Sequence, residues 1–427
     1  MKRRAFLKKT AALAGATVAA PIFVPSSVFG SNAPSNRITI GCIGVGGMGT
    51  AVMRGFMNNP NAEVVSVCDV DTAHRENARL IANLSPKRSY KDFRKLLLRD
   101  DIDAVTVVTP DHWHVPISLA AVAAGKDVYC EKPLTLTITE GRTLTNAVRR
   151  YGRVLQTGSH QRSDDRFRFA CELVRNERIG KLQEIAVEIP ENSRTCPPTW
   201  EEMPIPEGFD YNMWLGPAKY EPYTKQRCHY SFRFLLDYSG GQLTNWGAHD
   251  LDIAQWALDA DTGGPVEINA QGEFPREGLF TTATKSHIEY TYANGVKLIC
   301  DTGGNGVTFR GSEGWIFVKR GHIDAYPRSI LNSAIGPEEI RLYESSSHVQ
   351  DFIDCMKERR KPAADVEIGH RSATVCHLGN IAMILGRRLQ WNPEKERFVN
   401  DPEANRMLSR PIRNSWQRNE EPISQQG

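Results

Sequence analysis

RITIGCIGVGGMG, residues 37–49, is the stretch that decides the fold of this chain of 427 residues. Its first half is a short apolar run typical of a β-strand, and Gly44, Gly46 and Gly49 follow in GxGxxG spacing. The apolar segment 51–57 has a helical pattern, and a second apolar run ends in Asp69, 20 residues beyond Gly49. A glycine loop between a strand and a helix, with an acid at this distance, predicts a dinucleotide site. The glycines would allow a tight turn, close approach of a pyrophosphate, and close packing of helix on strand.

The composition is that of a globular protein, with 40% hydrophobic and 24% charged residues. The sequence contains no run of 18 apolar residues, so it predicts no membrane-spanning helix. The length of the chain suits two domains. The formal net charge of +3 arises from basic residues near the N-terminus, so the remainder of the chain is slightly acidic. We therefore expect no nucleic-acid partner.

Residues 1–33 have the pattern of a twin-arginine export signal. Arg3 and Arg4 precede an alanine-rich apolar stretch at 10–20, although Lys2 stands where Ser or Thr is more usual. The alternative is a plain basic N-terminus. The pattern predicts a periplasmic or otherwise exported protein that uses the twin-arginine export machinery.

Nine cysteines form no CxxC pair and no metal-like cluster. Cys42, Cys68 and Cys130 lie in apolar strand patterns, where cysteine behaves as a small hydrophobic residue. We expect mostly free, buried thiols and no metal site.

The pattern of apolar residues divides the chain into three parts beyond the signal. Residues 36–160 alternate apolar strands with amphipathic stretches, which predicts a doubly wound parallel sheet with crossover helices. Residues 161–345 contain alternating segments at 182–189, 286–292, 296–301 and 315–319, which predict a second, α/β domain with an antiparallel sheet. Residues 346–427 are predicted to form helices at 348–357 and 370–389 that return to the first domain, followed by a polar surface tail.

Polar residues follow two predicted strands of the first domain. The strand at 102–109 ends in Thr109-Pro110 with His114 close behind, and the strand at 127–130 runs into Glu131-Lys132-Pro133. The carboxyl ends of strands in a doubly wound sheet line the ligand crevice. A lysine there can donate to an alcohol or carbonyl oxygen, and burial would lower its pKa. A solvated Lys–Glu pair is the alternative.

A later segment, 240–253, supplies a histidine. Asn245 and His249 are four residues apart and would share one side of a helical turn. Histidine carries protons near neutral pH. A lone histidine is more often structural, but Trp246 and Asp252 beside it favour a functional role.

Together these motifs resemble the Gfo/Idh/MocA oxidoreductases, from residue 38 to the C-terminus. Residues 209–218, and the tail from Arg410 to Trp416, resemble the exported bacterial branch of that family. The resemblance implies a Rossmann domain followed by an α/β domain with a large, mostly antiparallel open sheet. That sheet commonly forms homo-oligomers, so we expect a dimer or tetramer.

The resemblance also implies residue roles. Lys132 would lie beside the nicotinamide and the reacting hydroxyl, and His249 would accept and donate the proton. Many members have an aspartate where this chain has Asn245, and that aspartate forms a proton relay with the histidine. Whether such a relay operates in this chain is left open, and Asp252 would partly replace the aspartate. The implied cofactor-binding set is Gly44, Gly46, Gly47, Met48, Gly49, Asp69, Thr109, Pro110, His114, Glu131 and Lys132.

The implied cofactor is NAD, because a 2′-phosphate would meet the Asp69 carboxylate, while nearby Arg75 keeps NADP open. The implied substrate is a sugar, glycoside or cyclic polyol, whose hydroxyl is oxidised. The substrate contacts would be Trp246, Arg233, Tyr230 and Asp252, with Trp113 as a further aromatic contact.

Free nicotinamide cofactor is scarce outside the cytoplasm, so we expect an exported enzyme to hold its cofactor tightly and regenerate it in the site. Two alternatives stay open. One is net cleavage, elimination or epimerisation through a transient keto sugar. The other is a non-catalytic sensor or scaffold that binds the cofactor.

Overall fold

The computed structural model describes residues 37–192 and 199–413. The predicted twin-arginine segment, residues 1–33, lies outside this range, as do Cys196 and the end of the tail with Trp416. No helix in the described ranges is long and apolar enough to span a bilayer.

A six-stranded parallel sheet forms the first domain, with the strand order β3-β2-β1-β4-β5-β6. This order confirms the predicted doubly wound fold, with its topological switch point between β1 and β4. Crossover helices bury the sheet on both faces, which explains the nearly continuous apolar strands. The strands are β1 (Ile38–Ile43), β2 (Ala62–Cys68), β3 (Ser89–Tyr90), β4 (Ala104–Val107), β5 (Asp127–Cys130) and β6 (Leu155–Thr157). The helices are α1 (Gly47–Met57), α2 (Thr72–Ile81), α3 (Phe93–Leu97), α4 (Asp111–Ala123) and α5 (Ile138–Tyr151).

The apolar pattern predicts a helix over 117–124, but the observed helix α4 starts earlier. The helix begins at Asp111, directly after Pro110. A carboxylate in the first turn favours a helix start, because it meets the partial positive charge of the helix N-terminus. His112, Trp113 and His114 therefore lie on the first helical turn rather than in a loop.

A nine-stranded sheet forms the second domain, in the order β13-β12-β11-β7-β10-β9-β8-β14-β15. All its pairs are antiparallel except β7 with β10, which confirms the mostly antiparallel open sheet. The strands are β7 (Leu182–Ile189), β8 (Glu267–Glu273), β9 (Lys285–Thr291), β10 (Lys297–Thr302), β11 (Gly306–Gly311), β12 (Trp315–Lys319), β13 (His322–Tyr326), β14 (Leu389–Asn392) and β15 (Arg397–Phe398).

The helices of the second domain and the C-terminal part cover this sheet and reach the first domain. They are α6 (Asp165–Arg175), α7 (Tyr211–Leu215), α8 (Gln242–Asn245), α9 (Gly247–Ala257), α10 (His348–Glu358), α11 (Val366–Leu385) and α12 (Pro402–Arg406). From α10, Phe352 and Ile353 pack in one cluster with Ile40 of β1. The predicted helix at 370–389 is shorter at its C-terminus, since Gly386 with φ of +62° ends α11.

The polar tail predicted beyond residue 392 is in part wrong. It contains β15 and α12, and the side chains of Phe398 and Ala404 are buried in the core of the second domain. The cysteine prediction is confirmed for the described part of the chain, where the cysteines are free and buried. Burial raises the pKa of the Cys42 thiol to about 12, so this side chain behaves as a small apolar group.

Candidate active site

The glycine loop opens a cavity of about 780 Å³ at the carboxyl ends of β1 and β4. Gly44 has a φ of +78°, and a Cβ added at Gly49 would lie 1.9 Å from the carbonyl oxygen of Gly44. Gly46, Gly47 and Met48 line the cavity beside the N-terminus of α1. Free N–H groups at a helix N-terminus favour an anion, so the loop fits the pyrophosphate of a dinucleotide.

Asp69 follows β2 and is oriented by the backbone. Its Oδ2 accepts from the amide of Val45 at 2.8 Å and its Oδ1 from the amide of Asp71 at 2.9 Å. Arg75 donates to the carbonyl oxygen of Asp69 at 2.7 Å and to the hydroxyl of Thr72 at 3.2 Å, and is absent from the described cavity lining. The Arg75 guanidinium, which could have bound the 2′-phosphate of NADP, is thus engaged with the backbone. The arrangement of Asp69 and Arg75 therefore fits NAD.

A segment of the second domain is hydrogen-bonded to the first domain beside Asp69. Thr72 donates to the carbonyl oxygen of Gly208 through both its amide, at 3.0 Å, and its hydroxyl, at 2.8 Å. The amide of Asp210 donates to the carbonyl oxygen of Val70 at 3.0 Å. These bonds bridge the two domains across the rim of the cavity.

Three side chains at this rim form a cluster that the sequence analysis missed when it predicted no metal site. The ligand atoms of Asp71, His74 and His229 lie within 4.8 Å of one another, a group that could hold a metal ion. The rings of His74 and His229 are 5.0 Å apart between centroids. Because the residues come from two distant segments, no local spacing in the sequence indicates the cluster.

Lys132, directly after β5 and Glu131, lies at the other end of the cavity. Its Nζ donates to the backbone oxygen of Asn245 at 2.8 Å and to its Oδ1 at 3.1 Å. Burial lowers the pKa of Lys132 to about 8; Glu131 opposes this shift, while the cations Arg233 and Arg320 add to it. Lys132 is therefore an ammonium at neutral pH that titrates within reach of physiological conditions.

His249, on α9, is buried in the same wall, at 7% exposure. Burial, together with the positive charges of Lys132 and Arg320, holds its pKa well below the usual value. Its Nδ1 is a buried atom without a hydrogen-bond partner among the described residues. A neutral imidazole with an unsatisfied nitrogen is suited to bind a polar ligand and accept a proton.

Asn245 lines the cavity between these two groups but bonds Lys132 and not His249. Its Nδ2 donates to Oε1 of Gln242 at 2.9 Å, and its Oδ1 accepts from Lys132. Within residues 37–192 and 199–413, no hydrogen bond joins its side chain to the imidazole. Asn245 therefore holds the lysine and does not orient the histidine ring through a hydrogen bond.

His114 and Glu131 stabilise the strand ends that carry this site. The ring of His114 bridges two carbonyl oxygens, of Pro133 at 2.7 Å and of Thr109 at 2.8 Å. Glu131 accepts from His160 at 3.4 Å. Burial by itself would raise the pKa of Glu131. The hydrogen bond and charge of His160 have the larger effect, so the pKa of Glu131 is lowered.

Of the predicted substrate contacts, Trp246, Arg233 and Tyr230 line the cavity, but the prediction for Asp252 is wrong. Asp252 is fully buried and accepts from Arg162 at 2.8 Å and from Ser372 at 2.6 Å. Its carboxylate binds the buried Arg162 instead of lining the cavity. It cannot replace the missing partner of the histidine.

Arg320 and His160 also line the cavity and were not predicted from the sequence, whereas Trp113, which also lines it, was predicted as an aromatic contact of the substrate. Arg320 stands in the turn between β12 and β13, and nothing in its local pattern indicates a site. His160 follows β6, so the rule that strand carboxyl ends meet at one edge could have found it. Trp113 donates to the carbonyl oxygens of Met213 and Trp214, a contact between domains.

Known proteins are similar to this chain in sequence and in fold. Residues 38–159 match a Gfo/Idh/MocA family model described as an NAD-binding Rossmann fold. Residues 197–418, more than half of the chain, match the model of the C-terminal alpha/beta domain of that oxidoreductase family.

Two curated relatives differ in how much they share. The uncharacterized oxidoreductase YrbE of Bacillus subtilis is 24% identical over 273 residues, which cover 62% of this chain and 67% of YrbE. The alpha-N-acetylgalactosaminidase of Shewanella oneidensis is 33% identical over 159 residues, 32% of this chain and 35% of that enzyme. The chain thus spans about a third of the length of the second relative.

Solved structures share nearly the whole fold. The aldose-aldose oxidoreductase of Caulobacter crescentus, complexed with glycerol, has a TM-score of 0.63 at 18% identity, over 83% of this chain and 99% of that one. The WlbA dehydrogenase of Bordetella pertussis, complexed with NADH and UDP-GlcNAcA, has a TM-score of 0.63 at 16% identity with the same coverage. With NAD as the cofactor of its Rossmann domain, the chain belongs to the Gfo/Idh/MocA oxidoreductase family.

Proposed function

We propose that this protein is an NAD-dependent oxidoreductase that acts on a CH–OH group of a sugar, a glycoside or a cyclic polyol. The observation that carries the proposal is the convergence of Lys132 and His249 on one end of the cavity that begins at the glycine loop. An ammonium beside a neutral imidazole offers one hydrogen-bond donor and one proton acceptor to a single hydroxyl.

The two side chains have different roles in this proposal. When bound, NAD supplies the hydride acceptor for the carbon that carries the hydroxyl. Lys132 donates a hydrogen bond to the reacting oxygen and stabilises the negative charge that develops there. His249 accepts the hydroxyl proton, because its environment keeps the ring neutral. Asn245 is a positioning residue that holds the Lys132 ammonium.

We further propose that the cofactor remains bound between turnovers, so that one hydroxyl is oxidised and a second substrate is then reduced. The bonds of Thr72 with Gly208 and of Asp210 with Val70 support this proposal, because they hold the two domains together beside Asp69. Retention also suits export, which we propose from the twin-arginine pattern in residues 1–33, with the periplasm or another exported location as the destination.

A second candidate function is net cleavage of a glycoside, or epimerisation, through a transient keto sugar. The similarity to an alpha-N-acetylgalactosaminidase over 159 residues favours it. A keto group acidifies the neighbouring C–H bond, so a leaving group can depart before the hydride returns to the sugar. The presence of both Lys132 and His249 in the cavity lining argues against the non-catalytic alternative, a sensor or scaffold that binds the cofactor.

We also propose a homo-oligomer, a dimer or tetramer, formed through the open face of the nine-stranded sheet. Trp315 and Tyr326 oppose each other on β12 and β13 and are 36% and 66% exposed. Large aromatic side chains exposed together are typical of an interface. Light scattering of the wild type and of a Trp315→Glu variant tests this, and a monomeric wild type would contradict it.

One experiment separates the two functions. The purified protein is denatured to measure its nicotinamide content, and the native protein is incubated with a panel of glycosides whose products are analysed by mass spectrometry. We expect close to one nicotinamide per chain and products that have lost two hydrogens. Released aglycone with the sugar redox state unchanged would favour the cleavage cycle, and protein that arrives empty and needs millimolar NAD would contradict retention.

A further inference from the structure

We propose that the substrate carries an anionic group, a carboxylate or a sulfate or phosphate ester, which Arg233 and Arg320 bind at the catalytic end of the cavity. This inference rests on the proposed oxidation of a sugar or polyol and names the class of sugar. Its basis is a pair of guanidinium groups that line the cavity from two separate segments and have no carboxylate within ion-pair distance in residues 37–192 and 199–413.

Arg320 reaches the cavity from the turn between β12 and β13. Its guanidinium carbon lies 5.1 Å from the ring centroid of Trp246, which is the residue directly after Asn245. No carboxylate of the described residues lies within ion-pair distance of Arg320. Stacking on an aromatic face orients a guanidinium while leaving its N–H groups free for a ligand.

Arg233, which also lines the cavity, is likewise stacked on aromatic rings. Its guanidinium carbon lies 4.7 Å from the ring centroids of both Tyr230 and Phe232. One Nη donates to the carbonyl oxygen of Tyr230 at 3.0 Å, and the remaining N–H groups have no carboxylate partner in the described part of the chain. Arg233 is half-buried, so its charge is only partly solvated.

The buried Arg162 shows how this fold neutralises a guanidinium that is removed from water. Arg162 is 1% exposed and binds two carboxylates, Asp252 and Asp261, because a charge in a low-dielectric environment is costly without a partner. Arg233 is half-buried and Arg320 is exposed, and neither has a carboxylate within ion-pair distance among the described residues.

Three cations and three carboxylates lie near one another at this end of the cavity, but the carboxylates are buried or already bonded. The cations are Lys132, Arg233 and Arg320, and the carboxylates are Glu131, Asp111 and Asp250. Asp250 accepts from Gln161, and burial raises its pKa to about 7. Glu131 is already bonded to His160. Asp111 is buried and accepts from Ser239 at 2.5 Å, and burial raises its pKa.

Oxidised nicotinamide adds a further positive charge when NAD is bound. A substrate anion would reduce the repulsion among these cations, and two guanidinium forks match the paired oxygens of a carboxylate or a sulfate. The aromatic faces of Trp246 and Tyr230 would lie beside the sugar ring, with the reacting hydroxyl directed to Lys132 and His249. The anion therefore serves to orient the ring.

Binding measurements on the protein with its cofactor test the inference without turnover. The probes are D-glucose, D-glucuronate, D-glucose 6-sulfate and D-glucose 6-phosphate, followed by tryptophan fluorescence. We expect at least one anionic probe to bind about 10- to 100-fold more tightly than glucose, as charge-assisted hydrogen bonds imply. The three anions distinguish carboxylate from sulfate and phosphate recognition.

The variants Arg320→Gln and Arg233→Gln should each reduce the ratio of anion to glucose affinity by about tenfold or more. Arg276→Gln, at an exposed arginine outside the described cavity lining, is the matched control and should leave the ratio unchanged. Equal nicotinamide content in all four proteins verifies folding of the site.

Two outcomes would overturn the inference: equal affinity for glucose and for all three anions, or a ratio that both variants leave intact. The proposed function fails in a different way, when no probe, neutral or anionic, reduces the bound cofactor. Oxidation of glucose with no preference for an anion would leave the proposed function standing and refute the anionic substrate. Arginine-dependent anion binding without cofactor reduction would support the subsite and refute the oxidoreductase.

Discussion

Replacing Asn245 by aspartate changes the charge beside Lys132 while keeping the shape of the side chain. Lys132 Nζ lies 3.1 Å from Asn245 Oδ1. Two unit charges at this separation attract by about 5 kcal/mol at an effective dielectric constant of about 20. Desolvation of the new carboxylate removes part of this energy, so we expect the pKa of Lys132 to rise by about 1–3 units.

The pH dependence of hydride transfer reports this shift. In the proposed mechanism Lys132 acts as an ammonium, so the rate falls as the pH rises through its pKa of about 8. An opposite charge favours the ammonium, and the falling limb of Asn245→Asp should therefore move to higher pH by about 1–3 units. Single-turnover reduction of the bound cofactor, measured as a function of pH, gives the midpoint.

Asn294→Asp is the matched control. Asn294 is exposed in the turn between β9 and β10, and its Oδ1 accepts from the amide of Val296 at 3.1 Å, a bond that aspartate can also make. Its midpoint should equal that of the wild type. A falling limb at the same pH in Asn245→Asp and Asn294→Asp would refute the assignment of the titration to Lys132.

Three further substitutions test other parts of the account. Gly49→Ala places a Cβ against the carbonyl oxygen of Gly44, so it should lower the free energy of unfolding in urea by about 1–3 kcal/mol and release NAD. An unchanged nicotinamide content would contradict the assignment of the loop to the cofactor. Asp252→Asn leaves Arg162 partly uncompensated and should destabilise the fold by about 3 kcal/mol, against about 1 kcal/mol for the more exposed Asp261→Asn; equal losses would argue against a buried pair. His249→Gln should lower the rate of hydride transfer about 10²- to 10⁴-fold at unchanged NAD content, and a wild-type rate would remove its catalytic role.

Local signals in the sequence were sufficient for the Rossmann domain. The strand, the glycine loop and Asp69 stand in fixed spacing, and residues that follow strands of a parallel sheet must meet at one edge. Lys132 could be placed there for that reason. The strands β8 and β11 were missed because their outer positions carry glycine and charged residues, which weakens the alternation that indicates a strand.

Parts of the site that depend on contacts between distant segments could not be predicted from the sequence. Asn245 lies four residues before His249, and helical spacing alone favours a bond between them, yet its oxygen binds Lys132 from the other domain. Asp252 was placed near the substrate by its sequence position, but a buried Arg162 attracts its carboxylate. Arg320 has no local signal at all, because only the pairing of β12 and β13 brings the turn between them to the cavity.

The central claim is that Lys132 and His249 serve hydride transfer between a substrate carbon and NAD. Its most direct test is the transfer of deuterium from sugars or glycosides labelled at the carbinol carbon to the bound nicotinamide, followed by mass spectrometry. We predict label on the nicotinamide in the wild type and a reduction of about 10²- to 10⁴-fold in the initial rate in Lys132→Met, with equal cofactor content in both. Label transfer at the same rate in the two proteins would contradict the account.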